Sequence, residues 1–210
     1  MNKLGDLSCN EFLTELASAA PAPGGGGGAA MAGALAAALA SMVANLTIGK
    51  EKFADCEPEV KELLEQAEAE RVRLLTLVDE DAAVFNSFMS CYKLPKTTDE
   101  EKAARTAAIR AAAKQAATVP LNIARSSFAV LKLADRLVVA GNPGVITDGA
   151  CSGLLARAAL RCAEYNVRIN LGLTKDEVWN AQAAAELEQL LSDAEALENR
   201  LLAVTDKALQ

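Results

Sequence analysis

Apolar positions recur with helical period from Ser8 onwards. Ser8 and Glu11 stand at capping-box spacing, and Phe12, Leu13 and Leu16 follow as a stripe that predicts a first helix to about Ala20. The next segment, Ala29 to Ile48, has no polar face: it is small or apolar apart from Ser41, Asn45 and Thr47. A helix that is apolar all round is a buried one, so this segment is predicted to be the central helix, ended by Gly49. Leu63, Leu64, Ala67, Leu74, Val78, Phe85 and Met89 keep helical period through a third helix from about Pro58 to Leu94. Leu94-Pro95-Lys96-Thr97 is a break, and Thr98 with Glu101 repeats the capping spacing to open a fourth helix. Pro120 is expected to kink or divide that helix, which ends at Gly141-Asn142-Pro143-Gly144. A fifth helix is predicted from Thr147-Asp148 to about Leu171. Thr174 and Glu177 cap a sixth, from about Lys175 to the C-terminal end. No stretch alternates with period two for long enough to make a strand. The pattern predicts an all-α fold, an antiparallel bundle of long helices with short connections, as a single domain over residues 1–210.

Ahead of the central helix stands Pro23-Gly24-Gly25-Gly26-Gly27-Gly28. A bare glycine run reads as a flexible linker. Followed by a buried helix, it reads as a loop that lets a ligand approach the backbone and presents free N–H groups at a helix N-terminus, where negative charge is favoured. Residues 16–49 carry no charge, a stretch of 34 that is long enough to cross a membrane. Pro21, Pro23 and the glycines interrupt it, and alanine and glycine partition weakly into lipid, so no membrane partner is expected.

Composition narrows the chemistry. The chain is 51% hydrophobic but only 4% aromatic, so alanine and leucine must build the core, which suits close-packed helices. A net charge of −7 argues against nucleic acid as a partner and leaves an anionic small molecule possible only with a local basic patch. There is no histidine, so acid–base work falls to Asp, Glu, Lys, Tyr or Cys, and the commonest transition-metal ligand is missing. The five cysteines form no C-x-x-C pair, which reads as reduced thiols in a cytoplasmic protein; no signal-peptide pattern is present.

Some polar groups fall where they are costly. Asp81 has Leu77, Val78 and Phe85 as helical neighbours and sits on the apolar stripe of the third helix, whereas Asp79 is about 200° away around the axis. A desolvated carboxylate has a raised pKa and is a candidate proton carrier; a buried ion pair is the plain alternative. Asn166 and Asn170 share a helix face and suit either a heterocycle's hydrogen-bonding edge or a helix–helix tie. Asn142 and Asp148 flank a turn and a helix start, where capping alone would explain them. Lys50, Lys52, Lys93 and Lys96 lie at helix ends, solvated or ready for an anionic tail.

Taken together, Pro23-Gly24-Gly25-Gly26, Ala29-Ala30, Ala40-Ser41-Met42-Val43-Ala44-Asn45-Leu46-Thr47-Ile48-Gly49-Lys50, Asp81-Ala82-Ala83-Val84-Phe85, Leu94-Pro95-Lys96, Glu100-Glu101-Lys102, Val119-Pro120, Gly141-Asn142, Thr147-Asp148 and Asn166-Val167-Arg168-Ile169-Asn170-Leu171 resemble the cyclodeaminase/cyclohydrolase family. This is the C-terminal half of formiminotransferase-cyclodeaminase and the stand-alone methenyltetrahydrofolate cyclohydrolases. The resemblance covers nearly the whole chain. It implies an all-helical homodimer that binds a reduced folate and needs no metal or further cofactor. One member type closes 5-formimino-tetrahydrofolate to the 5,10-methenyl compound with loss of ammonia; another hydrolyses the methenyl compound to 10-formyl-tetrahydrofolate. The family's essential aspartate falls on Asp81. Where the family pattern has Pro-Gly-Gly-Gly-Ser and then an apolar residue, this chain has Gly27 and Gly28, so a hydroxyl that would cap the helix or touch the ligand is missing.

These expectations assign the proton traffic to Asp81. Asn166, Asn170 and Asp148 go to the pterin or the one-carbon bridge, Asn142 to the substrate at no particular part of it, Lys50 and Lys96 to the benzoylglutamate end, and Gly24, Gly25 and Gly26 to close backbone approach. Cyclohydrolase is the leading activity, because the chain carries no formiminotransferase domain. Cyclodeaminase, a folate-binding protein without catalysis, and a helical scaffold without a small ligand are the alternatives.

Overall fold

A computed structural model of the chain describes residues 3–210, and among them there are six α-helices and no strand. They are α1 (Cys9–Leu16), α2 (Gly25–Asn45), α3 (Glu57–Cys91), α4 (Asp99–Ala140), α5 (Ile146–Thr174) and α6 (Glu177–Ala208), joined with three short 3-10 turns. The capping boxes read from the sequence open α1 and α4: the side chains of Ser8 and Thr98 accept from the backbone N–H of Glu11 and Glu101, and both glutamates reach back. At α6 the cap lies two residues later than expected. Thr174 closes α5, Lys175 takes the left-handed conformation, and the Asp176 carboxylate accepts from the Trp179 N–H at 3.1 Å.

Two expectations are corrected. Pro120 does not divide its helix, for α4 runs unbroken across it. The glycine run is not a loop: Gly24 is the cap residue and Gly25 to Gly28 form the first turn of α2. None of these glycines has positive φ, so their missing Cβ matters for packing rather than for backbone freedom. Gly49, by contrast, has φ 75° in the turn after α2.

α2 is the hub. It runs antiparallel to α3 and to α5 and parallel to α4, as the contacts of Gly33 with Leu74 and Ser127, and of Ala36 with Ser152, require. A Cβ on Gly33 would lie 3.0 Å from Leu74 Cδ2 and 3.1 Å from Ser127 Oγ, so three helices close on a bare backbone there. Alanines supply the rest of the seam: Ala30, Ala36, Ala37, Ala40 and Ala44 are buried. α6 lies outside α4 and α5 and is riveted to them by ion pairs, among them Lys114–Asp176 at 2.9 Å, Arg157–Glu198 at 3.2 Å and Arg200 on the buried Asp135. By length and composition α2 could cross a membrane, but most of it is enclosed by its neighbours. One stripe stays open: Leu35 is 52% exposed and Met42 43%, and Leu154 on the adjacent α5 is 43% exposed.

Candidate functional site

Asp81 lies where α3 passes the first turn of α2. A Cβ on Gly26 would sit 2.6 Å from Asp81 Cγ and 2.7 Å from Oδ2, and nearer still to Oδ1. Only glycine leaves the carboxyl room at that place. The N-terminus of α2 does receive an anion, and that anion is the protein's own side chain. Burial pushes the Asp81 carboxyl above the ordinary carboxylate range, and the Gly27 backbone N–H pulls the other way. Asp79, on the opposite face, is spent otherwise: it accepts the Leu4 N–H at 2.5 Å and holds the N-terminal turn on α3.

Around Asp81 opens a cleft of about 170 Å³ between the start of α2, the last turns of α3, the middle of α4 and the end of α5. Gly24, Gly25, Val84, Phe85, Phe88, Pro120, Asn166 and Asn170 are in its wall. Asp81 is the one titratable group among the lining residues, and no lysine or arginine joins it. Six of the residues singled out from the sequence therefore meet in one place: Asp81, Gly24, Gly25, Gly26, Asn166 and Asn170.

Pro120 explains the amide wall. Having no N–H, it leaves the carbonyl four residues back, that of Ala116, without its helical donor. Asn170 Nδ2 fills that gap, donating to the Ala116 oxygen at 2.9 Å and to the Asn166 oxygen at 2.8 Å. Asn166 Nδ2 in turn donates to the Cys162 oxygen at 2.9 Å. Both amide nitrogens are thus engaged by carbonyls, and both asparagines keep an acceptor oxygen free for the cleft. Together with Asp81 this makes a wall of acceptors facing an aromatic and apolar side.

The other four candidates lie elsewhere. Asn142 is a structural tie: its N–H donates to Thr47 Oγ1 at 2.8 Å, its Nδ2 to the Leu46 oxygen at 3.1 Å, and its Oδ1 accepts from Gly144. Asp148 lies in the first turn of α5 and the exposed Lys50 beyond the end of α2, so both share that far end, about 30 Å from the cleft along α2. Lys96 is exposed in the connection after α3 and does not line the cleft. A single copy of the chain does not bring these four to Asp81. Phe85, Phe88 and Pro120 are lining residues that sequence reading did not name as ligands; their spacing from Asp81 along α3 was the available signal for the two phenylalanines. Position 27 is the third residue of α2, so a serine there would not be the helix cap; its Cβ would be 3.9 Å from Asp81 Oδ2, within reach of a hydroxyl hydrogen bond to the carboxylate. Among the described residues no three His, Cys, Asp or Glu side chains gather to hold a metal ion.

Comparison with known proteins shows what the whole chain is similar to. The sequence profile of the formiminotransferase-cyclodeaminase family matches residues 8–189. A methenyltetrahydrofolate cyclohydrolase from Methylorubrum extorquens is 45% identical over 197 residues, 94% of this chain and 95% of that protein. The formimidoyltransferase-cyclodeaminase of Sus scrofa is 33% identical over 87% of this chain, which spans only 34% of that longer protein. The crystal structure of a formiminotetrahydrofolate cyclodeaminase from Thermotoga maritima superposes with a TM-score of 0.88 at 30% identity, covering 98% of both chains.

Proposed function

The chain belongs to the formiminotransferase-cyclodeaminase family, and from that premise we propose that it hydrolyses 5,10-methenyltetrahydrofolate to 10-formyltetrahydrofolate. The observation that carries the reading is the cleft's complementarity: one proton-carrying carboxylate and two amide acceptors, with no fixed cation, face a ligand whose reacting carbon is cationic and whose pterin edge offers N–H donors. The choice of hydrolysis follows the M. extorquens cyclohydrolase, which this chain matches over 94% of its own length.

Chemically, a water attacks the methenyl carbon held between N5 and N10. Asp81 takes one of its protons as the C–O bond forms, and its negative charge offsets the cation beforehand. The same proton then passes to N5 as the C–N5 bond breaks. The remaining hydroxyl proton leaves to solvent as the formyl C=O forms on N10, so one proton is released per turnover. A carboxyl whose pKa is raised by burial holds a proton better than an ordinary carboxylate does and can still return it. No metal and no further cofactor is called on.

The test is the near-ultraviolet absorbance of the methenyl chromophore, measured against spontaneous hydrolysis. Faster loss with the purified protein supports the reading; no acceleration sinks it. A second cuvette with 5-formimino-tetrahydrofolate covers the cyclodeaminase reading favoured by the T. maritima neighbour, for which absorbance should rise.

We also propose a homodimer built on the open stripe of α2. Residues 16–49 carry no charge, so the α2 stripes of two copies meet without like-charge repulsion. α2 and α5 side by side offer about 30 × 20 Å, or roughly 600 Å² per copy, the lower end of specific interfaces. An antiparallel pairing about a two-fold axis near Leu35 sets the far end of one copy, with Lys50, Asn142 and Asp148, beside the Asp81 cleft of the other. Leu35→Glu should give monomers in sedimentation; a wild-type monomer would remove the proposal. The expected location is the cytoplasm, in keeping with five unpaired cysteines.

A further inference from the structure

We propose that Arg105, with Tyr92, binds the acidic tail of the substrate; the proposal rests on the folate reading above. Phe88 lines the cleft and Tyr92 stands one turn beyond it, the two rings edge to face at 5.3 Å. The Arg105 guanidinium lies over the Tyr92 ring, 5.5 Å from its centroid, and one terminal N–H donates to the Tyr92 carbonyl at 3.3 Å. Its Nε is buried and has no partner. Arg71, Arg125, Arg136, Arg157, Arg161, Arg168 and Arg200 all pair with carboxylates. Arg73, which donates to Ser126, the exposed Arg110 and Arg105 do not, and of these three Arg105 is the one whose Nε is buried without a partner, although the chain has 28 Asp and Glu side chains to offer. A half-buried guanidinium without a carboxylate, in so acidic a protein, is a site waiting for one.

The place fits. α3 and α4 run antiparallel, with Arg73 on Ser126 and Arg136 on Glu59, so Ala116 is level with Asp81 and Arg105 with Tyr92. Tyr92 is eleven residues beyond Asp81 and Arg105 eleven before Ala116. Eleven residues are three turns, so both lie on the cleft face of their helices, about 16 Å along the axis. The benzoylglutamate arm runs some ten bonds from N10 to its terminal carboxylate, about 12 Å at roughly 1.2 Å of advance per bond, and the arginine side chain closes the rest. Between them α4 presents Ala112, Ile109 and Ala108, small or apolar side chains that leave room for the aminobenzoyl ring. The site is neither of the lysines expected from the sequence.

The simpler role is a cap on the C-terminal carbonyls of α3, and the experiment separates the two. Arg105→Gln and Arg105→Lys are assayed on 5,10-methenyltetrahydrofolate and on its pteroate counterpart, which lacks the glutamate. Arg105→Gln should raise KM for the glutamate-bearing compound about tenfold relative to that for the pteroate, with kcat changed far less, and Arg105→Lys should recover part of the loss. Equal shifts on both compounds, or none, would overturn the tail site and leave the cap. A wild-type protein that neither hydrolyses these compounds nor closes 5-formimino-tetrahydrofolate overturns the folate reading itself, and this proposal with it, in the control arm before any variant is compared.

Discussion

Replacing Gly26 with alanine is the most informative single change. The added methyl would meet Asp81 Cγ at 2.6 Å and Oδ2 at 2.7 Å, whereas carbon contacts settle near 3.5 Å or beyond. Something must retreat by about 1 Å. The three nearest atoms all belong to the end of the Asp81 side chain, which can turn about χ1, so the carboxyl moves rather than the helix. Overpacking costs about 1–3 kcal/mol, here at the low end, and alanine in place of a helical glycine returns up to about 1 kcal/mol. The two nearly cancel, so the folded protein should persist. Activity should not: a reacting group displaced by about 1 Å loses roughly 100-fold in rate. Gly28→Ala is the control, since its Cβ would lie 3.9 Å from Leu16 Cδ2, an ordinary contact, and should leave stability unchanged or higher by up to about 1 kcal/mol. Urea denaturation followed by far-ultraviolet circular dichroism reads the stabilities, and loss of methenyl absorbance reads kcat. A Gly26→Ala protein that turns over within threefold of wild type would refute the claim that the bare backbone exists to seat the carboxylate. One that fails to fold would show that the clash is taken up by the helix.

Asp81→Asn should fold and lose at least about 100-fold in kcat. Its stability should also depend on pH in a defined sense. The folded carboxyl titrates above its unfolded value, so the folded state binds the proton more tightly and wild type loses stability as pH rises from the ordinary carboxylate pKa through the raised one. Asp81→Asn should therefore be more stable relative to wild type at pH 8 than at pH 3.5; a pH-independent difference would contradict the direction of the shift. Gly27→Ser should place a hydroxyl against the Asp81 carboxylate, lower its pKa and move the alkaline-side stability loss to lower pH, as denaturation across a pH series would report. Pro120→Ala supplies the N–H that Ala116 lacks and competes with Asn170; thermal stability should hold or rise while KM for the methenyl substrate increases severalfold. Arg200→Met strands Asp135, which is 2% exposed, and should destabilise the protein by about 3 kcal/mol in urea without altering KM.

Much of this was legible because helices announce themselves by period. Asp81 could be found from one helix alone: a carboxylate flanked by Leu77, Val78 and Phe85 has to be unusual, and its neighbour Asp79 has to point away. Asn166 and Asn170 were legible for the same reason, four residues apart on one face. The glycine run misled, since local propensity disfavours glycine in a helix and only the packing of α2 against Asp81 and Leu74 overrides it. Pairings across the fold were invisible. Nothing in a linear reading joins Pro120 to Asn170, or Arg105 to Tyr92, because each depends on how two helices register. Lys50 and Lys96 show the converse limit: positive charge at a helix end carries no information about which end of the bundle it shares, and within one copy neither lysine lines the cleft.

The cleft has a single titratable group, and that limits what it can store. With no histidine and no second acid in the wall, there is one proton berth and no queue behind it. A proton lifted from water has nowhere to wait except on Asp81, so it must be handed to the ring nitrogen, or escape, before another can be taken. Transfer from attacking water to N5 is then an internal return, and it competes with exchange against bulk solvent through the mouth of the cleft.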